Sequence, residues 1–152
     1  MEKKELELYI HIPFCVRKCN YCDFLSFPAD EDTQRQYVKA LCKEIFYYGA
    51  HCRDYVVSTV YIGGGTPSWL WESDMAEIMD AVHKNFALLP DAEVSVECNP
   101  GTVTAQKFAV YRQSGINRIS LGLQSAQNVE LKMLGRIHTW EQFLKTYELA
   151  RA

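Results

Sequence analysis

Three cysteines stand within eight residues of one another, at positions 15, 19 and 22 of a 152-residue chain. The segment reads Cys15-Val16-Arg17-Lys18-Cys19-Asn20-Tyr21-Cys22, a C-x3-C-x2-C spacing. Thiolates are soft ligands, and three on one short loop can reach three separate irons of a single [4Fe–4S] cube. The fourth iron then lacks a protein ligand. It can chelate a small molecule through an amino and a carboxylate group, as the methionine end of S-adenosylmethionine (SAM) does. An electron passed from such a cluster to the sulfonium would break the C5′–S bond and yield a 5′-deoxyadenosyl radical. The cofactor supplies that chemistry, while the protein supplies position and exclusion of water.

The same residues allow a second reading. Cys15, Cys19 and Cys22, with His11 as fourth ligand, could close a tetrahedral structural zinc centre. The thiols could also stay unmetallated. His11 by itself fits a hydrogen-bonded histidine at a strand end more readily than a ligand. Cys42, Cys52 and Cys98 are scattered and read as packed thiols, since free cysteine behaves as a small hydrophobe. Three clustered and three dispersed cysteines do not make the even framework of a secreted disulfide domain. A tight cluster in a reducing compartment more often binds metal, so the expected location is the cytoplasm.

Elements must position that loop. Leu6 to Ile12 alternates apolar and polar residues and meets Pro13, which predicts a strand ending at the cysteines. Asp30 to Asp32 offer an N-cap for a helix carrying Tyr37, Val38, Leu41, Ile45 and Tyr48, with Gly49 to close it. Ser58–Ile62 predicts a second strand, broken by Gly63-Gly64-Gly65-Thr66-Pro67, and Ser73 is a candidate cap for the next helix. Glu93–Glu97 predicts a third strand before Asn99-Pro100-Gly101. Thr104 and Gly115 bracket a helix holding Phe108 and Tyr111. Arg118–Leu123 predicts a fourth strand, and a short helix lies near Val129 to Leu134. Thr139-Trp140-Glu141-Gln142 has the form of a capping box.

Four strand–helix units in order imply an α/β fold with a parallel sheet, right-handed crossovers and chemistry at the strands' C-terminal ends. Four strands cannot close a barrel, so residues 1–152 read as the N-terminal part of a larger domain, with the rest of the barrel and any C-terminal domain missing. Hydrophobic residues make up 48% and charged residues 23%, the balance of a globular chain. A net charge of −3 gives no basic footprint for nucleic acid. The mixed-charge start, Met1-Glu2-Lys3-Lys4-Glu5, has the shape of neither a signal peptide nor a membrane span.

Tyr9-Ile10-His11-Ile12-Pro13-Phe14-Cys15, followed by Cys19-Asn20-Tyr21-Cys22-Asp23-Phe24, resembles the radical SAM coproporphyrinogen dehydrogenase (HemN/HemW-like) family. The resemblance runs from Tyr9 to about His138. It implies a partial (β/α) TIM-type barrel of the radical SAM superfamily, with a [4Fe–4S] cluster on Cys15, Cys19 and Cys22. It also implies SAM contacts at Tyr9, Tyr21, Gly64, Gly65, Thr66, Glu97, Gln124 and Arg136. Glycines in the 63–65 run let the backbone approach a ligand, and Glu97 could accept hydrogen bonds from ribose hydroxyls or an ammonium. Arg136 suits a carboxylate through a two-pronged bond.

The oxidase branch of the family places a further cysteine two residues after the third ligand, where this chain has Phe24. Cys22-Asp23-Phe24 and Leu134-Gly135-Arg136-Ile137-His138 instead resemble the heme-chaperone, HemW-like branch. The expected function is therefore binding and delivery of heme, with a heme-receiving protein and an electron donor as partners. The alternatives are oxygen-independent oxidative decarboxylation of coproporphyrinogen III, and an inactive fragment or structural zinc domain. Whether the chain is an enzyme stays open between them.

Overall fold

The computed structural model describes residues 4–152; Met1 to Lys3, at the mixed-charge start, lie outside the described residues. Four strands, β1 (Lys4–Ile12), β2 (Tyr55–Gly64), β3 (Leu88–Cys98) and β4 (Arg118–Leu121), form one sheet in sequence order. Every pairing is parallel. Ile12 pairs with Gly64, Ile62 with Val96, and Cys98 with Leu121, so the strands end together on one rim. This is the layout of part of a (β/α) barrel.

Helices α1 (Glu31–His51), α2 (Glu72–Asn85) and α3 (Ala105–Gln113) return the chain between strands. Side chains alternate across a strand, so each strand offers two different faces. Ile10, Ile12, Val60, Ile62, Val94, Val96 and Cys98 face the helices and share one core with Val38, Ile45, Met75, Ile78, Met79, Val82 and Tyr111. Tyr9, Tyr61, Glu97 and Ser120 occupy the alternate positions and stay partly exposed. Arg35 of α1 bridges Asp74 and Glu77 of α2, both at 2.6 Å. A short helix α4 (Asn128–Met133) and a last helix α5 (Trp140–Arg151) follow β4. No helix among the described residues is long and apolar enough to cross a membrane.

Several expected caps are present. Asp30 accepts from Thr33 N–H, Thr104 from Lys107 N–H, and Thr139 with Gln142 completes the reciprocal capping box. Gly115 follows α3 at a φ of +90°. Two assignments are corrected. Ser73 is no cap: a 3-10 turn at Pro67–Trp69 feeds the chain into α2 two residues earlier, with Trp71 at the cap position and no side-chain bond. Gly49 does not close α1, which runs on to His51. It is instead the point where α1 touches the end of α2, and a Cβ there would lie 2.6 Å from the carbonyl oxygen of Asn85.

The strand ends also differ from the sequence reading. β2 and β3 are longer than Ser58–Ile62 and Glu93–Glu97. The register of β2 with β3 breaks between Val57 and Thr59, which lets Pro90 sit within β3 where no ladder N–H is needed. β4 stops at Leu121 instead of Leu123: Gly122 N–H still bonds Cys98 O of β3, but Leu123 N–H turns back to Leu121 O.

Helix propensity favours alanine over glycine by about 1 kcal/mol, whereas overpacking a tight contact costs about 1–3 kcal/mol. The contact at Asn85 is backbone and cannot swing away, so the cost outweighs the gain and Gly49→Ala is expected to lower stability by up to about 2 kcal/mol. Thermal denaturation checks this; a raised Tm would show that the two helices can separate freely.

Candidate functional site

The cysteine loop is tied down at both ends and in the middle. Pro13 O accepts from Phe27 N–H at 2.9 Å, and Cys15 N–H donates to Phe27 O at 3.2 Å. The rings of Phe14 and Phe27 meet edge to face. On the other side, Gly65 N–H donates to Ile12 O at 2.8 Å and Thr66 N–H to Phe14 O at 2.6 Å. The glycines make this seam possible. Gly64 has a φ of +117°, and a Cβ on Gly65 would lie 2.5 Å from Phe14 O. In the middle of the loop, Asn20 N–H donates to Leu134 O at 3.1 Å and its amide to Met133 O at 3.0 Å.

Above the strand ends lies a pocket of about 230 Å3. All three loop cysteines line it, together with Tyr21, Gly64, Gly65, Thr66, Glu97, Gln124 and Arg136. Ten of the eleven residues singled out from the sequence thus converge. Tyr9 is the exception. It stands 62% exposed below the rim, its ring stacked near that of Tyr61, and donates its hydroxyl to His11 Nδ1 at 2.9 Å.

Glu97 is no free strand-end charge. Its carboxylate accepts from Tyr61 OH at 2.7 Å and from Gly64 N–H at 3.1 Å, so β3 fixes the glycine turn of β2. Gln124 has a φ of +70°, the left-handed region that side chains normally avoid. Such strain persists only where surrounding contacts enforce it, and it concentrates at ligand sites.

Arg136 joins the parts. Nη1 donates to Tyr21 OH at 3.3 Å and faces Cys19 Sγ at 3.8 Å. Nη2 donates to Asn99 Oδ1 at 3.0 Å and to Gly122 O at 2.8 Å. Asn99 in turn donates from Nδ2 to Thr66 Oγ1 at 3.1 Å and from its backbone N–H to Ser68 Oγ at 3.1 Å. One guanidinium and one amide therefore link the ends of all four strands. The Nη atoms of Arg136 already have protein partners, an arrangement that differs from a fork left open for a carboxylate.

His11 has both ring nitrogens engaged. Nε2 donates to Leu25 O at 3.1 Å, which leaves Nδ1 to accept from Tyr9. Among the described residues no three His, Cys, Asp or Glu side chains gather as ligands of a single ion. A tetrahedral ion needs its ligands converged on one point, whereas a cube takes each thiolate at its own iron. The donor set of three free thiols around one concave pocket thus fits a [4Fe–4S] cluster better than zinc. Cys98 also lines the pocket, but burial pushes its thiol up to about 12, so it stays protonated and packs as a hydrophobe.

Sequence reasoning missed Asn99, Tyr61 and Ser68. Asn99 stood in view as part of a strand-end turn, but its long-range partners carried no sequence signal. Tyr61 could have been found by alternation, since it shares a face with Gly63 and pairs in register with Tyr9 and Ser95.

A family model for the radical SAM superfamily matches residues 9–152. The heme chaperone HemW of Escherichia coli (strain K12) is 43% identical over 146 residues, which is 95% of this chain and 39% of that protein. HemW of Haemophilus influenzae is 37% identical over 151 residues, 96% of this chain and 39% of that protein. The chain thus spans about two-fifths of the length of these relatives. Among solved structures, coproporphyrinogen III oxidase (HemN) from Escherichia coli, described as a radical SAM enzyme, superimposes with a TM-score of 0.90 at 29% identity. That match covers 99% of this chain and 35% of the oxidase. With that family model covering all but the first eight residues, the chain belongs to the radical SAM superfamily.

Proposed function

We propose that these residues form the N-terminal part of a radical SAM core in a cytoplasmic protein that binds heme and delivers it to a recipient protein. Superfamily membership brings SAM and a [4Fe–4S] cluster as cofactors. Reductive cleavage of SAM is the chemistry that this pair supplies when bound. In our reading Cys15, Cys19 and Cys22 hold the cluster. Gly64, Gly65 and Thr66 present backbone close to SAM. Glu97, fixed by Tyr61 and Gly64, offers its remaining lone pairs to a ribose hydroxyl or an ammonium. Gln124 and Tyr21 line the wall, Tyr9 lies below it, and Arg136 keeps positive charge beside the cluster loop. A protein of this kind also needs an electron donor.

The observation that carries the heme-chaperone reading is Phe24. It stands where the oxidase branch carries a cysteine, and it lines the pocket as an apolar, two-thirds exposed side chain (66%). Relatives at 34–43% identity that are named heme chaperone HemW support the same reading. The likeness to the HemN fold supports a second one, SAM-dependent oxidation of coproporphyrinogen III.

Replacing any one of Cys15, Cys19 or Cys22 with alanine leaves two thiolates for a cube that needs three. Each variant is expected to lose stable [4Fe–4S] assembly, seen as loss of iron, sulfide and charge-transfer absorption after anaerobic reconstitution. Cys98→Ala should keep them. Unchanged iron in a loop variant would contradict the assignment.

Heme titration of the protein followed at the Soret band separates the two functional readings. Saturable binding at micromolar heme, without turnover of coproporphyrinogen, is the expected result. Anaerobic turnover of coproporphyrinogen with no heme uptake would replace the chaperone reading with the oxidase one.

A further inference from the structure

The Leu134-Gly135-Arg136-Ile137-His138 run ends on a residue to which the site as described gives no role. His138 is 4% exposed. Its Nε2 lies 3.1 Å from Leu123 O. A carbonyl only accepts, so Nε2 carries the proton and Nδ1 presents a lone pair. Burial, and next the charge of Arg136, hold the ring's pKa below its ordinary value, which keeps it neutral.

Nδ1 has no hydrogen-bond partner, although it is buried. Neither has Nε of Arg136, the one guanidinium position that the links to Cys19, Tyr21, Asn99 and Gly122 do not use. One orphan is a donor and the other an acceptor. Both residues line the same small cavity behind the cysteine loop, beside Thr66, Asn99 and Thr102. It offers about 10 Å3 to a water centre, about the room for one molecule. A water there would accept from Arg136 Nε–H and donate to His138 Nδ1, which would satisfy both. Leu123 lies between Gly122, whose carbonyl receives Arg136 Nη2, and Gln124 with its left-handed backbone.

We infer that His138 is a positioning residue: it holds the Gln124 turn directly through Leu123 O and the Arg136 guanidinium through one buried water. This rests on the proposed SAM site. A histidine that only fills the core would affect stability and leave SAM affinity alone.

The test compares His138→Leu with His138→Gln in anaerobically reconstituted protein. Glutamine can still donate to Leu123 O and accept from the water; leucine can do neither. His138→Leu is expected to keep its iron and sulfide, bind SAM about tenfold more weakly and show a reduced SAM-induced change in the cluster's EPR signal, with His138→Gln close to the unaltered protein. Unchanged SAM affinity in His138→Leu, or a glutamine variant as weak as the leucine one, overturns the inference. A crystal structure of the unaltered protein decides the water independently, even where the leucine variant does not fold. An ordered water within reach of both Arg136 Nε and His138 Nδ1 supports the inference, and a dry cavity overturns it. If the unaltered protein binds no SAM, the proposed SAM site fails, while the water still stands or falls on that structure.

Discussion

A single side chain links parts of the site that come from distant places in the sequence. Arg136 reaches Cys19 and Tyr21 on the cysteine loop, Asn99 after β3 and Gly122 after β4, and Asn99 carries the link to Thr66 after β2. A guanidinium suits this work because it is planar, always charged, and presents five donors in a fixed fork. Strand ends alone would leave four independent loops, which are the mobile parts of most folds. Here polar cross-links hold them as one rim, and the half-buried setting makes each link stronger than it would be in water.

The sheet supplies what the rim stands on. Its helix-facing side is apolar and closely packed, with Ile12, Ile62, Val60 and Val96 almost without exposure. Its other side is polar and aromatic, and there Tyr61 and Glu97 brace the glycine turn. The two demands, a core on one side and chemistry on the other, follow from alternation along each strand. Parallel register then brings all four C-terminal ends to one level, where a pocket can form.

Much of this was legible in the sequence because it is local. The C-x3-C-x2-C spacing, the glycine run and the Asp30, Thr104 and Thr139 caps depend on neighbours a few residues away. What could not be read depends on distance through space. Gly49 looks like a helix stop until Asn85 is seen to press against it. Ser73 looks like a cap until the preceding 3-10 turn is known. Arg136 read as a grip for a carboxylate, and its ties to four protein groups from three loops emerge only from the fold. Gln124's left-handed backbone has no signature at all, since the sequence there offers neither glycine nor asparagine. His11 was correctly read as a hydrogen-bonded strand-end residue, because a histidine near a chain turn readily finds a carbonyl.

Central to the proposed function is a cube held by three thiolates with its fourth iron open to SAM. Electron paramagnetic resonance of the reduced, anaerobically reconstituted protein, recorded before and after adding SAM, examines that vacancy directly. A [4Fe–4S] signal whose g-values move when SAM is added is the predicted outcome. A cluster signal indifferent to SAM, or zinc in place of iron, would contradict it.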